Sequence, residues 1–149
     1  MAGTDKDNLK LTKDVYDAFN KGDLEVLRGC LTNNSTLKLM AMNQTLKGPN
    51  DILNYFNVYR TAFNATVNTN RVTACGDVVL SEFNGKGVHR AVFQTPMGDI
   101  QPTNRSIDLP VCHVIQWKDG KIVELHEYFD VNSLMSQLGI SVSEERHAY

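Results

Sequence analysis

Val111-Cys-His-Val-Ile-Gln-Trp-Lys-Asp-Gly-Lys-Ile-Val-Glu-Leu-His-Glu-Tyr-Phe-Asp130 alternates apolar and polar residues on both sides of an Asp-Gly pair, the pattern of two antiparallel strands joined by a tight turn. Two registers are open. A two-residue Asp119-Gly120 turn pairs Lys118 with Lys121 and His113 with His126. A three-residue Lys118-Asp119-Gly120 loop, with Gly120 left-handed, pairs Trp117 with Lys121 and His113 with Leu125. Side chains alternate across a strand, so the second register gathers all odd positions on one face. That face reads Val111, His113, Ile115 and Trp117 from the first strand and Val123, Leu125, Glu127 and Phe129 from the second. The even face, with Cys112, Val114, Gln116, Ile122, Glu124, His126, Tyr128 and Asp130, is far more polar. The cleaner separation selects the three-residue loop. It makes His113 and Glu127 diagonal neighbours in apolar company, close enough to meet directly or through a water.

Upstream of this hairpin the chain stays β-rich back to Val67. Val67–Cys75 turns at Gly76-Asp77 into Val78–Phe83, and Gly85 and Gly87 predict a bulge before a strand over Val88–Gln94. Residues 95–104 form a turn-rich loop. The first half is helical in pattern. Leu11, Val15, Ala18 and Phe19 recur at helical spacing up to Gly22, and Asp23 is placed to cap a shorter helix with Leu24, Leu27 and Leu31 inward. After a short strand over Thr36–Met42, Gly48-Pro49 breaks the chain, and Ile52, Phe56, Tyr59 and Phe63 mark a third helix. Residues 130–138 start a short last helix that Gly139 ends, and the first eight residues read as frayed. Helix, helix, strand, helix and then a strand meander is an α+β order, with helices on one face of a curved antiparallel sheet. A pocket between the two layers would be lined by the helix-three aromatics and the inward face of the last hairpin.

Length and composition exclude several classes. One domain, spanning 1–149 with a core of about 9–139, accounts for 149 residues, of which 42% are hydrophobic and 21% charged. A net charge of −2 with scattered basic residues leaves no footprint for nucleic acid, and no apolar run is long enough to span a membrane. The start of the chain lacks the apolar centre of a signal peptide, so the expected location is cytoplasmic. Cys30, Cys75 and Cys112 lack metal-ligand spacing and read as free thiols; no metal and no phosphate-binding glycine loop is expected.

Val15-Tyr-Asp-Ala-Phe-Asn-Lys-Gly-Asp-Leu-Glu-Val-Leu27 resembles the opening helix pair of SnoaL-like polyketide cyclases, within the cone-shaped NTF2-like superfamily. Gly48-Pro49-Asn-Asp-Ile, Gly87-Val-His89, Pro102-Thr-Asn-Arg, Lys118-Asp-Gly-Lys-Ile-Val-Glu124 and Asp130-Val-Asn-Ser-Leu-Met-Ser-Gln-Leu-Gly139 are similar to that family's later landmarks. The resemblance covers roughly Leu11 to Gly139. It implies a cone-shaped α+β fold with three helices in the amino-terminal half and a short carboxy-terminal one. It also implies a cofactor-independent cyclase or isomerase acting by intramolecular aldol-type chemistry on a hydrophobic, carbonyl-bearing small molecule. The family pairs a histidine seven residues before the turn glycine with an aspartate in a His-Trp-Asp sequence. Those places fall here on His113 and on Glu127 within Leu125-His126-Glu127. Glu127 is then the candidate base and His113 the group that orients or protonates. Phe56, Tyr59, Phe63, Leu125 and Phe129 would line the substrate pocket, with Trp117 near the hairpin tip at a rim or an interface. Glutamate in place of aspartate lengthens the base by one methylene, and Leu125-His126 replaces His-Trp. The resemblance also implies a homodimer through the sheet.

Blander readings stand beside each role. A buried His–Glu pair can be a satisfied structural contact. The helix-three aromatics can be core alone. The fold also hosts non-catalytic small-molecule binders and interaction modules. His89 reads as loop support, His126 and Asp130 as outer-face or capping residues, and His147 as part of a polar tail.

Overall fold

The final hairpin turns on two residues, not three. In the computed structural model, which describes residues 2–141, Asp119 and Gly120 both have positive φ, 51° and 76°. Lys118 pairs with Lys121 across them. Positive φ at both central positions gives the turn a twist that matches its strands. One residue later the register shifts: Trp117 lies opposite Ile122, but Gln116 lies opposite Glu124, so Val123 is an extra, bulged residue. Neither register weighed from the sequence is the observed one. The bulge restores the parity that the two-residue turn would have broken, and it sets His113 directly opposite Glu127 instead of diagonal to it. It also exchanges two side chains at the tip. Ile122 is 2% exposed and faces the core, whereas Val123, expected inward, is 40% exposed.

This hairpin, β7 (Ser106–Lys118) and β8 (Lys121–Tyr128), is the centre of a curved six-stranded sheet. On one side lie β4 (Val78–Val88) and the edge strand β3 (Thr66–Cys75). On the other lie β1 (Thr36–Leu39) and β2 (Gln44–Lys47). The predicted strand over Thr36–Met42 is therefore a hairpin, turning near Asn43 at φ 50°. The sheet is mixed, not purely antiparallel, because β1 runs parallel to β8 with Leu37 beside Leu125 and Leu39 beside Glu127. The expected bulge at Gly85 and Gly87 is absent: β4 pairs with β7 without interruption, and the irregularity sits in β3 between Thr69 and Arg71. Gly87 has another reason. A Cβ there would lie 2.4 Å from the Phe63 carbonyl oxygen, so only glycine lets helix three approach. The loop after β4 folds a separate small hairpin, β5 (Phe93–Thr95) and β6 (Gly98–Ile100).

Among the described residues, four helices complete the fold: α1 (Ala2–Asn20), α2 (Glu25–Gly29), α3 (Pro49–Phe63) and α4 (Val131–Gln137). Because α1 begins at Ala2, the amino-terminal residues read as frayed are helical from there. Helix α1 stops as its sequence predicts. Gly22 takes φ 84°, its N–H bonds Phe19 O, and Asp23 N–H reaches back to Ala18 O, satisfying the last carbonyls. Asp130 caps α4 by accepting from Asn132 N–H. His147 lies outside the described residues.

The core has two parts. One gathers Leu37, Leu39, Ile52, Val79, Ile115, Trp117 and Ile122 beneath α2 and α3. The other gathers Ala62, Phe63, Phe93, Ile107, Leu109, Leu134 and Leu138 beneath α4 and the β5–β6 hairpin. Each fully buried Leu, Ile, Val or Phe among them contributes about 1.5–3 kcal/mol relative to exposure. Between the two parts, against the inner face of β7 and β8, the packing opens into a cavity.

Candidate active site

Residues from four elements, β7, β8, α1 and α3, converge on this cavity. Strand alternation brings His113 from β7 and Glu127 from β8 to the inner face, 4% and 6% exposed. His113 Nε2 lies 2.8 Å from Glu127 Oε2. The other carboxylate oxygen, Oε1, accepts from the Tyr55 hydroxyl of α3 at 2.5 Å. The other imidazole nitrogen, Nδ1, lies 2.8 Å from the Tyr16 hydroxyl of α1. Tyr59, one helical turn beyond Tyr55, brings its hydroxyl within 3.2 Å of the Tyr55 hydroxyl. A connected run of Tyr16, His113, Glu127, Tyr55 and Tyr59 results.

The direction of donation follows from chemistry. An ionised carboxylate only accepts, so Tyr55 spends its single proton on Glu127 and Tyr59 donates to the Tyr55 oxygen. A neutral His113 must carry its proton on Nε2, facing the carboxylate, and its Nδ1 then accepts from Tyr16. The phenols are held firmly protonated. Burial drives Tyr16, Tyr55 and Tyr59 well above the usual phenol range, and the negative charge of Glu127 adds to the shift in all three. They are donors, not bases. Aromatic rings enclose the imidazole: Phe83 meets it edge-on at 4.8 Å, with Tyr16 at 5.8 Å and Phe56 at 6.3 Å. Ser81, directly opposite His113 on β4 and 1% exposed, sits beside the Tyr16 hydroxyl.

The cavity has a volume of about 110 Å³. His113 and Glu127 border it together with Phe56, Tyr59, Trp117, Leu125 and Phe129. Phe63 does not. It is 1% exposed and packs behind Tyr59, against Phe93 and His89. Trp117 is at the closed inner end, not at a rim or an interface: it is 1% exposed, and its indole N–H donates to Thr12 Oγ1 at 3.2 Å. Helix α1 supplies the wall that the sequence reading lacked. Asn8, Thr12 and Tyr16, spaced by four, form a buried stripe of polar side chains on α1. That spacing was the available signal for Tyr16, hidden because Leu11, Val15, Ala18 and Phe19 satisfied the same helix with apolar residues. Tyr55 carried no separate signal, since it lies three residues after Ile52 and four before Tyr59 and so reads as one more core position of the same face.

The remaining histidines lie elsewhere. His126 is on the outer face, where its Nε2 is 2.9 Å from Glu124, itself bound to Lys38. His89 is fully buried and ties the loop after β4, with Thr103 N–H donating to its Nδ1. Among the described residues, no group of His, Cys, Asp and Glu side chains is arranged to hold a metal ion, and no helix is long and apolar enough to cross a membrane.

A family model of SnoaL-like polyketide cyclases matches residues 10–138. The chain belongs to the SnoaL-like polyketide cyclase family. Among solved structures, a protein assigned as a SnoaL-like polyketide cyclase from Jannaschia sp. CCS1 superposes with a TM-score of 0.80 at 18% identity, covering 92% of this chain and 94% of that one. One assigned as a polyketide cyclase from Xanthomonas campestris pv. campestris gives 0.79 at 19%, covering 91% and 98%. An LEH-like epoxide hydrolase from M. tuberculosis gives 0.69 at 17%, covering 90% of each. At these identities the likeness shows the NTF2-like fold alone. No curated protein matches the chain. The SnoaL-like family assignment thus fixes the architecture and leaves the chemistry to be argued from the His113–Glu127 site.

Proposed function

We propose that this SnoaL-like protein is a cofactor-independent enzyme that removes a proton from carbon next to a carbonyl, leading to cyclisation or isomerisation of a hydrophobic small molecule. One observation carries the reading: a carboxylate, Glu127, borders an apolar cavity with each of its oxygens held by a separate donor. A structural ion pair needs no such cavity. A base for carbon acids needs a fixed carboxylate, exclusion of water, and a donor near the oxygen where charge develops. Glu127 abstracts the proton, His113 holds one carboxylate oxygen and returns a proton, and Phe56, Leu125 and Phe129 position the carbon skeleton.

The test is solvent deuterium incorporation next to the carbonyl of a bound cyclic ketone, followed by NMR. Glu127→Gln keeps the size and one accepting oxygen but removes the base, its amide nitrogen being unable to accept. It should slow incorporation at least about 100-fold, the usual span of general-base catalysis. Equal rates in the two proteins would leave the binding-module reading in its place.

Assembly as a homodimer through the outer face of the sheet belongs to the same proposal. Its support is the exposure of Leu80, Val123 and Tyr128, each 40–44% exposed, on or beside that face. Leu80→Lys should shift the sedimentation coefficient from dimer to monomer.

A further inference from the structure

Among the described residues, Arg60 on α3 is the one arginine that is half-buried. Arg28 and Arg71, both exposed, pair with Glu25 and Glu82, and exposed Arg105 donates to the Gln137 carbonyl. The Arg60 guanidinium has neither an ion pair nor a hydrogen bond among the described residues. What holds it is shape. It lies over the Phe19 ring near the end of α1, 5.9 Å from the centroid, and its Nη2 would stand 2.7 Å from a Cβ at Gly22. The ring fixes the place of the guanidinium fork and satisfies none of its N–H groups. A cation beside the carbonyl end of α1, which has no basic residue in its own last turn, accounts for the charge but not for a fork left unpaired. Phe19 is also a wall of the cavity, next to Ala65, Thr66 and Val67 at the start of β3. These four are half-buried, whereas Trp117 and Ile122 at the inner end are sealed. They form a rim, and Asn20 fixes it, exchanging two hydrogen bonds of 2.8 and 2.7 Å with the Val67 backbone. Arg60 shares the Phe19 ring with this rim.

We infer that the substrate is an apolar molecule ending in a carboxylate, its body in the cavity and its acid group on the Arg60 fork at the rim. The inference rests on the proposed role of Glu127 as an ionised base, because that charge sets the orientation. Two carboxylates side by side in apolar surroundings repel, so the acid end cannot lie against Glu127. It must point outward, and Arg60 is what it meets there. A guanidinium offers two parallel N–H groups to the two carboxylate oxygens, a match that an ammonium group lacks. The bond also satisfies donors that Arg60 now holds half-buried without a partner. It gives the substrate a fixed depth as well. Apolar walls let a guest slide, whereas an anchored end sets which carbon stands beside Glu127.

4-Phenylbutanoate and 4-phenylbutanamide share one body and differ in the charge of the end group, so calorimetric titration of both reads the anchor alone. The native protein should bind the acid about tenfold tighter than the amide, the effect of one charge-assisted pair. Raising the salt from about 0.05 to about 0.5 M should erode that preference and leave the amide unmoved. In Arg60→Gln the two ligands should bind alike, with the amide as tight as in the native protein, which shows that the cavity is intact. The salt series needs no variant and stands even if Arg60→Gln fails to fold. An amide bound as tightly as the acid, an acid affinity indifferent to salt, a preference that survives Arg60→Gln, or no binding of either ligand overturns the inference. An Arg60 that only steadies the end of α1 would lower the urea midpoint of the variant and leave the acid-to-amide ratio where it was. Deuterium incorporation into a neutral cyclic ketone by the native protein is read separately. Incorporation without the acid preference removes the substrate class alone. Acid preference without incorporation removes Glu127 as the base and leaves an acid-binding site.

Discussion

While Glu127 is a carboxylate it cannot give a proton, and that fact orders the hydrogen bonds around it down to the tautomer of His113. In neutral form the ring should carry its proton on Nε2, with Nδ1 accepting from Tyr16. Nitrogen-15 NMR of the imidazole distinguishes the two tautomers. The native protein should show a single Nε2–H species, and so should Tyr16→Phe, because the Glu127 carboxylate still faces Nε2 and can only accept. A native spectrum dominated by Nδ1–H would reverse the order of donation. Thr12 poses a simpler test at the same scale. Thr12→Val keeps the shape but strands the buried Trp117 indole N–H, so chemical denaturation should report a loss of about 1–3 kcal/mol. The pairing of His113 with Glu127 was legible in the sequence because both lie at odd positions, and side-chain parity survives a bulge even when the register is misjudged. Tyr16 and Tyr55 were not legible, because a tyrosine on the inward side of a helix reads as core until its hydroxyl is seen to meet something.

At the scale of elements, the junction of α3 and β4 depends on one missing methyl. The Phe63 carbonyl occupies the place of a Gly87 Cβ, whereas a Cβ at Gly85 would make only ordinary contact, 3.9 Å from Leu109 O. Gly87→Ala must push the end of α3 away from the sheet and should cost about 1–3 kcal/mol. Gly85→Ala should be nearly neutral, and matched urea titrations of the two variants check the difference. Equal effects would mean that strand propensity, not close approach, governs both. Reading these glycines as a bulge failed for a physical reason: a glycine in a strand marks a bulge or a close approach equally well, and only the neighbouring helix decides between them. The hairpin tip shows the same limit. Turn chemistry at Asp119-Gly120 is local and readable, but the bulge at Val123 exists to serve the buried face, and nothing within the turn itself announces it.

For the whole molecule, local periodicity revealed the helices and the α+β order, while the parallel pairing of β1 with β8 was invisible, because it joins segments some eighty residues apart that share no turn. Global stability against acid is the property in which a remote part of the fold shows itself. His89 is fully buried among Phe63 and Phe93, accepts from Thr103 N–H at Nδ1, and has no partner for Nε2 among the described residues. Burial holds its pKa below the ordinary imidazole value. Above about pH 6.5, the usual value of an unfolded histidine, neither state binds the proton and the full stability is present. As pH falls through that value the unfolded chain gains a proton that the folded one refuses. Stability should then drop by up to about 1.4 kcal/mol per pH unit until the lower, folded value is reached. Glu124, held below the carboxylate range first by its hydrogen bond to Lys38 and then by that to His126, acts in a separate window, losing its contribution only as pH falls below about 4.5. Urea midpoints measured from about pH 5 to about pH 8 should therefore slope downward toward acid in the native protein. His89→Asn can still accept from Thr103 N–H but cannot titrate, so its midpoints should be flat over that range. A native protein without the slope, or a variant that keeps it, would remove His89 as the acid-sensitive element of the fold.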